Sequence, residues 1–106
     1  MMPRVLILEP HEDVRMLLEF SMRRLGYEPV APADCSPGTV DAVVLEPSWA
    51  HGRTILRLLG DVIPPVVCLS IFPREAGFAP AESVAYLTKP SSLQELGDAL
   101  RTACAC

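Results

Sequence analysis

The sequence has no cluster of positive charge. Nine Lys and Arg stand against 13 Asp and Glu, a formal net charge of −4. No basic stripe is available to neutralise phosphates, so direct nucleic-acid binding is not expected. Nor is there an apolar run near the roughly 18 residues that a membrane span requires. The opening MMPRVLIL is cut off by Glu9 and followed by no small-residue cleavage pattern, so it is not a secretory signal and a cytoplasmic location is expected. A cysteine framework is missing too. Cys35, Cys68, Cys104 and Cys106 keep no regular spacing, Cys68 lies inside an apolar run, and the terminal C-x-C is taken as a reduced tail. The 11 prolines are scattered at segment edges and form no tract. A chain of 106 residues is too short for two ordinary cores, so one domain spanning residues 1–106 is expected.

What the sequence does contain is a succession of apolar, β-branched runs at residues 5–8, 42–45, 66–71 and 84–87, with a shorter one at 28–31. They are continuous rather than alternating, the pattern of strands buried on both faces. Between them lie segments of helical period. Val14, Leu17, Leu18, Met22 and Leu25 share one stripe before Gly26; Ile55, Leu58 and Leu59 repeat the pattern before Gly60. The last segment opens on Ser92 and Glu95 at capping-box spacing and continues with Leu93, Leu96 and Leu100. Strand and helix in alternation predict an α/β fold, a parallel sheet covered on both sides by helices. Right-handed crossovers put every strand C-terminus on one rim, where the functional crevice of such sheets lies. Two strands end there on the same tripeptide, Leu-Glu-Pro, which brings Glu9 and Glu46 to that rim.

Element order and strand-end residues together resemble the receiver domain of bacterial two-component response regulators. The resemblance runs from VLILEPHEDVRMLLEFSMRRLGY to AYLTKPSSLQELGDAL, almost the whole chain, and its most specific parts are the opening strand-helix-Gly-Tyr unit and Tyr86–Pro90. It implies a three-layer, flavodoxin-like fold with a five-stranded sheet of order 2-1-3-4-5, in which Glu9 and Glu46 sit side by side. In the family the first strand ends in two acids that hold Mg²⁺, the third in a phosphoacceptor aspartate, the fourth in Thr or Ser, and the fifth carries a lysine before a proline. Those positions fall here on Glu9 and Pro10, Glu46, Ser70, and Lys89 with Pro90, while Tyr86 matches the family's switch aromatic.

The departures are informative. Pro10 offers no side-chain oxygen to a metal that demands near-octahedral oxygen ligation, and Glu46 places its carboxylate one methylene deeper than aspartate would. Phosphoryl transfer depends on positioning and charge neutralisation, so both changes argue against efficient phosphorylation and against strong Mg²⁺ binding. Only ten residues, Ala31 to Val40, join the second and third strands, which leaves no room for the family's second helix. Pro73, Gly77 and Pro80 limit its fourth to about one turn. Both losses would uncover one face of the sheet, a surface suited to a partner or a homodimer. Trp49 is expected near the pocket mouth, as a lid or a partner anchor.

The resulting expectation is a degenerate receiver, or pseudo-receiver, that is not an enzyme and acts as a protein-interaction module in bacterial phosphorelay signalling. Its partners would be a histidine kinase, an output domain or another signalling protein. A working receiver accepting phosphate on Glu46 or a neighbour is the alternative. A small metal-dependent hydrolase is a further one, with Glu9, His11 and Glu46 as candidate ligands of nitrogen and oxygen type. For His11 the simpler reading is an exposed residue in the first turn of a helix.

Overall fold

The four-residue run Ala42-Val-Val-Leu45 is buried from end to end, as a central parallel strand requires. It forms β3 of a five-stranded sheet in a computed structural model that describes residues 2–105. The other strands are β1 (Arg4–Leu8), β2 (Glu28–Val30), β4 (Val66–Ser70) and β5 (Ser83–Thr88), all parallel and ordered β2-β1-β3-β4-β5. Three helices complete the architecture: α1 (Glu12–Arg24), α2 (Ala50–Arg57) and α3 (Leu93–Cys104). The sheet order and the three-layer arrangement are those expected from the sequence. No described helix is long and apolar enough to cross a membrane.

Alternate residues of each central strand feed two cores. Val5, Ile7, Val44, Val67 and Leu69 face α1 and α3, where they meet Leu18, Met22, Leu96 and Leu100. Leu6, Leu8, Val43, Leu45, Val66 and Cys68 face the other way, toward Leu56 and Leu59. The helix boundaries follow from local chemistry. Gly26 takes φ +90° after the last turn of α1, a conformation that costs a residue with a Cβ but not glycine. At the start of α3 the Glu95 N–H donates to Ser92 Oγ at 3.0 Å, and the Ser92 N–H donates to Glu95 Oε1 at 3.1 Å, the reciprocal pair that the spacing predicted.

A single 3₁₀ turn, Pro32–Asp34, stands in place of the family's second helix, and another, Arg74–Ala76, in place of its fourth. The expected consequence, an uncovered sheet face, is not observed. Leu6, Leu8, Val43, Leu45, Val66 and Cys68 are fully buried. The loops lie flat enough for Cys35, Trp49, Ile63 and Ala79 to close over them. Exposed apolar surface sits elsewhere. Leu17, assigned by its spacing to the core stripe of α1, is 66% exposed, and Leu58 of the second stripe is 73% exposed while Leu56 is buried in its stead. Both lie at the margin of their stripe, where a short helix on a narrow sheet has no neighbour to cover them. Cys68 is a buried thiol whose pKa burial pushes up, the Ser83 hydroxyl pulling weakly the other way. The C-x-C reading lies partly outside the described residues, since it includes Cys106.

Candidate functional site: a buried glutamate–lysine–glutamate cluster

Leu8 pairs with Leu45 across β1 and β3, so the residue following each strand arrives at the same level of the rim. The Glu46 N–H donates to the Leu8 carbonyl at 2.9 Å and locks that register. Lys89 comes from the end of β5, its backbone N–H donating to the Ser70 carbonyl at 2.8 Å. Its Nζ donates to Glu9 Oε1 at 2.5 Å and to Glu46 Oε1 at 2.9 Å. The two outer oxygens are also engaged. Glu9 Oε2 accepts the His11 N–H at 3.0 Å; Glu46 Oε2 accepts both the Ser48 hydroxyl, at 3.0 Å, and the Ser48 N–H, at 3.3 Å. All four carboxylate oxygens therefore have a donor supplied by the chain itself.

Little of this cluster reaches water: Glu9 is 2% and Glu46 6% exposed. Burial alone would push the Glu46 carboxyl up, but Lys89, Ser70 and Ser48 donate to it and hold it below the usual glutamate value. Burial would likewise pull Lys89 down. The hydrogen bonds and charges of Glu9 and Glu46 outweigh that and raise it, so the ammonium keeps its proton more tightly than in water. One cation between two anions leaves the cluster with a net charge near −1.

Ser70 and Tyr86 flank the cluster and converge on one peptide unit. Ser70 Oγ accepts the Phe72 N–H at 3.1 Å, and the Tyr86 hydroxyl donates to the Phe72 carbonyl at 2.7 Å. The backbone of Phe72 thus ties the end of β4 to the aromatic of β5. The two prolines of the repeated tripeptide differ: Pro47 is fully buried, whereas Pro10 is exposed at the rim. Trp49 is the N-terminal flank of α2 and packs against the second core, with its ring edge-on to His51 at 5.4 Å. Gly52 makes room for it, since a Cβ there would stand 2.6 Å from Trp49 Cε3. It is a structural wedge rather than a lid on the pocket.

The metal grouping of Glu9, His11 and Glu46 does not assemble. His11 is exposed and meets Glu9 only through its backbone N–H, because it occupies the N-cap position of α1. Among the described residues no three His, Cys, Asp or Glu side chains lie close enough to hold a metal ion. Ser48 was missed by sequence reasoning. The available signal was a serine two residues beyond a buried strand-end carboxylate, the spacing at which a short side chain and its own N–H both turn back to an acceptor.

No protein-family model matches the chain, and no curated protein matches it. Solved structures do. A response regulator receiver domain from Clostridium thermocellum superposes with a TM-score of 0.76 at 17% identity, covering 98% of this chain and 95% of that one. A chemotaxis protein of Vibrio cholerae gives 0.74 at 15% identity, with 97% and 99% covered. This chain has the receiver fold. A third receiver domain, from a sensor histidine kinase of Pseudomonas aeruginosa, matches at 0.67 and 18% identity over 100% of both chains, and that protein holds a magnesium ion in its active-site cleft. Within the receiver fold, the cluster of Glu9, Glu46 and Lys89 lies at the strand C-termini, the rim where such sheets place their functional crevice.

Proposed function

We propose that this domain is a receiver-like signalling module whose acceptor pocket is closed by its own ion cluster, and that it signals by binding another protein rather than by accepting phosphate. The observation that carries the reading is Lys89: its ammonium lies between Glu9 and Glu46, in contact with both. The residues present do not fit Mg²⁺. That ion needs several oxygens at about 2.0–2.1 Å with free lone pairs. Pro10 supplies none, and every oxygen of Glu9 and Glu46 already has a donor, Lys89, His11 or Ser48, with which the ion would have to share it or which it would have to displace. A lysine in this place offsets one of the two carboxylate charges without metal, and Glu46 is held as a fixed anion beside Ser70.

The same geometry disfavours Glu46 as a nucleophile. An attacking carboxylate oxygen must be presented to the incoming phosphorus, whereas Oε1 points into the lysine and Oε2 is held by Ser48. A module of this kind would act in the cytoplasm, with a histidine kinase, an output domain or another signalling protein as its partner. The test is incubation with Mg²⁺ and acetyl phosphate, read by intact-mass spectrometry, together with beryllofluoride titration followed by Trp49 fluorescence. No phosphoryl gain and no fluorescence change are expected. Incorporation of phosphate on Glu46 or a neighbour would refute the reading in favour of a working acceptor.

A further inference from the structure

Helix α1 carries three large apolar side chains on its outer surface: Met16 and Phe20 are each 59% exposed, and Leu17 is 66%. At 100° per residue they share one stripe with Asp13 and Arg24. Along that stripe the sequence runs Asp13, Leu17, Phe20, Arg24, with intervals of four, three and four residues. The spacing is symmetric about its centre, and the ends carry opposite charge. Neither Asp13 nor Arg24 has an ion-pair partner among the described residues; Arg24 lies only over the ring of Phe20, at 6.0 Å.

A pattern of that kind complements itself when reversed. Two copies of α1 laid antiparallel, with a two-fold axis between residues 18 and 19, bring Asp13 opposite Arg24 at both ends and Leu17 opposite Phe20 twice in the middle. Glu12 and Arg23, both exposed, strengthen the acidic start and the basic end of the same helix. The charged ends are separated by eleven residues, or about 16 Å of helix, so both pairs can form within one interface. Leu17 also lines an apolar groove between α1 and the start of α3, with Val14, Leu18, Leu69, Leu93 and Leu96. The reversal sets Phe20 of the second copy at the rim of that groove.

We propose that α1 is the two-fold interface of a homodimer, in which the helix packs antiparallel on α1 of a second copy with Asp13 facing Arg24 across the axis. A two-fold contact is isologous and must complement itself, the property this stripe has and a patch of one charge would lack. The apolar area, roughly 300–400 Å² per copy, is small, which places the dimer among weak, reversible associations. Lys89 lines the far side of the groove, but no residue of the stripe belongs to the ion cluster, so the proposal does not depend on how the acceptor pocket is read.

Charge reversal tests it. Sedimentation velocity on the full chain from about 10 µM to 1 mM should show reversible dimers with a dissociation constant of about 0.1–1 mM. Asp13→Arg and Arg24→Asp, each made singly, oppose like charges twice in every dimer and should weaken association about tenfold or more. The double variant D13R/R24D restores complementarity and should regain the wild-type constant, a recovery that no general loss of folding could produce. Both residues are exposed, and far-UV circular dichroism confirms that each variant is folded. A wild-type chain that stays monomeric throughout, single variants that associate unchanged, or a double variant no better than the singles would each overturn the proposal.

Discussion

Replacing Lys89 with methionine keeps most of the side-chain volume and removes the one charge that the two buried glutamates share. The wild-type cluster balances two carboxylates, at 2% and 6% exposure, against an ammonium whose side chain is 14% exposed. Without that ammonium both carboxylates stay in a low-dielectric rim with only neutral donors, the His11 N–H, the Ser70 hydroxyl, and the Ser48 hydroxyl and N–H. Breaking a buried pair by removing one partner costs about 3–5 kcal/mol. Against a total stability of about 5–15 kcal/mol for a domain of this size, that is about a fifth or more of the whole. Glu46→Gln should cost much less, because Lys89 then keeps Glu9 as its counter-ion and no charge is left alone. Urea unfolding at pH 7, followed by circular dichroism and Trp49 fluorescence, gives both differences. The Lys89→Met deficit should also shrink as the pH is lowered, because burial and mutual repulsion raise the proton affinity of the carboxylate pair once the ammonium is gone, and one bound proton relieves the unpaired charge. A Lys89→Met variant within about 1 kcal/mol of wild type at pH 7 would show that the glutamates are solvated well enough to do without the lysine, and the argument from burial would fail.

The wild-type domain should show a stability plateau with two limbs. Glu46 has a depressed carboxyl pKa, so its contribution is present above the ordinary glutamate value near 4.3 and is lost as the pH falls through the lower folded value. Lys89 is raised, so its contribution is complete below the ordinary lysine value near 10.4 and disappears as the pH rises through the higher folded one. Melting temperatures recorded from acid to alkaline pH should locate both limbs, and Lys89→Met should reduce the alkaline one to what burial of Cys68 and Tyr27 contributes. Gly52→Ala should destabilise by about 1–3 kcal/mol, because a Cβ 2.6 Å from Trp49 Cε3 and 3.2 Å from Leu45 Cδ1 must displace the indole. The same variant should shift the Trp49 emission maximum; an unchanged spectrum and an unchanged melting temperature would contradict the wedge assigned to that ring.

Strand positions were legible because continuous apolar β-branched runs have few other places to go in a chain this short. Val5–Leu8, Ala42–Leu45 and the core of Val66–Ser70 are strands as expected, and Glu9 and Glu46 follow two of them onto one rim. The capping box at Ser92 and Glu95 was equally plain, being a matter of local spacing. The missing helices could be counted from Pro32, Pro37, Gly38, Pro73, Gly77 and Pro80, but their consequence could not. Whether a sheet face is open depends on where loops settle, and here Cys35, Trp49 and Ala79 cover what helices cover elsewhere. Leu17 was misplaced for a related reason. Periodicity assigns a residue to a stripe, and only the neighbouring helix decides whether the stripe's edge is buried.

The alternation of strands and helices, the two glutamates at strand ends and the lysine before Pro90 are thus readable from local spacing, because each depends on residues close together in the chain. Long-range folding alone brings Lys89 onto both carboxylates, leaves the remaining oxygens to Ser48 and the His11 N–H, and joins Ser70 to Tyr86 through the Phe72 peptide. Those contacts close across 43 and 80 residues in the case of the lysine. Their energy comes from the low dielectric of the rim, a property of the folded whole and of no segment within it.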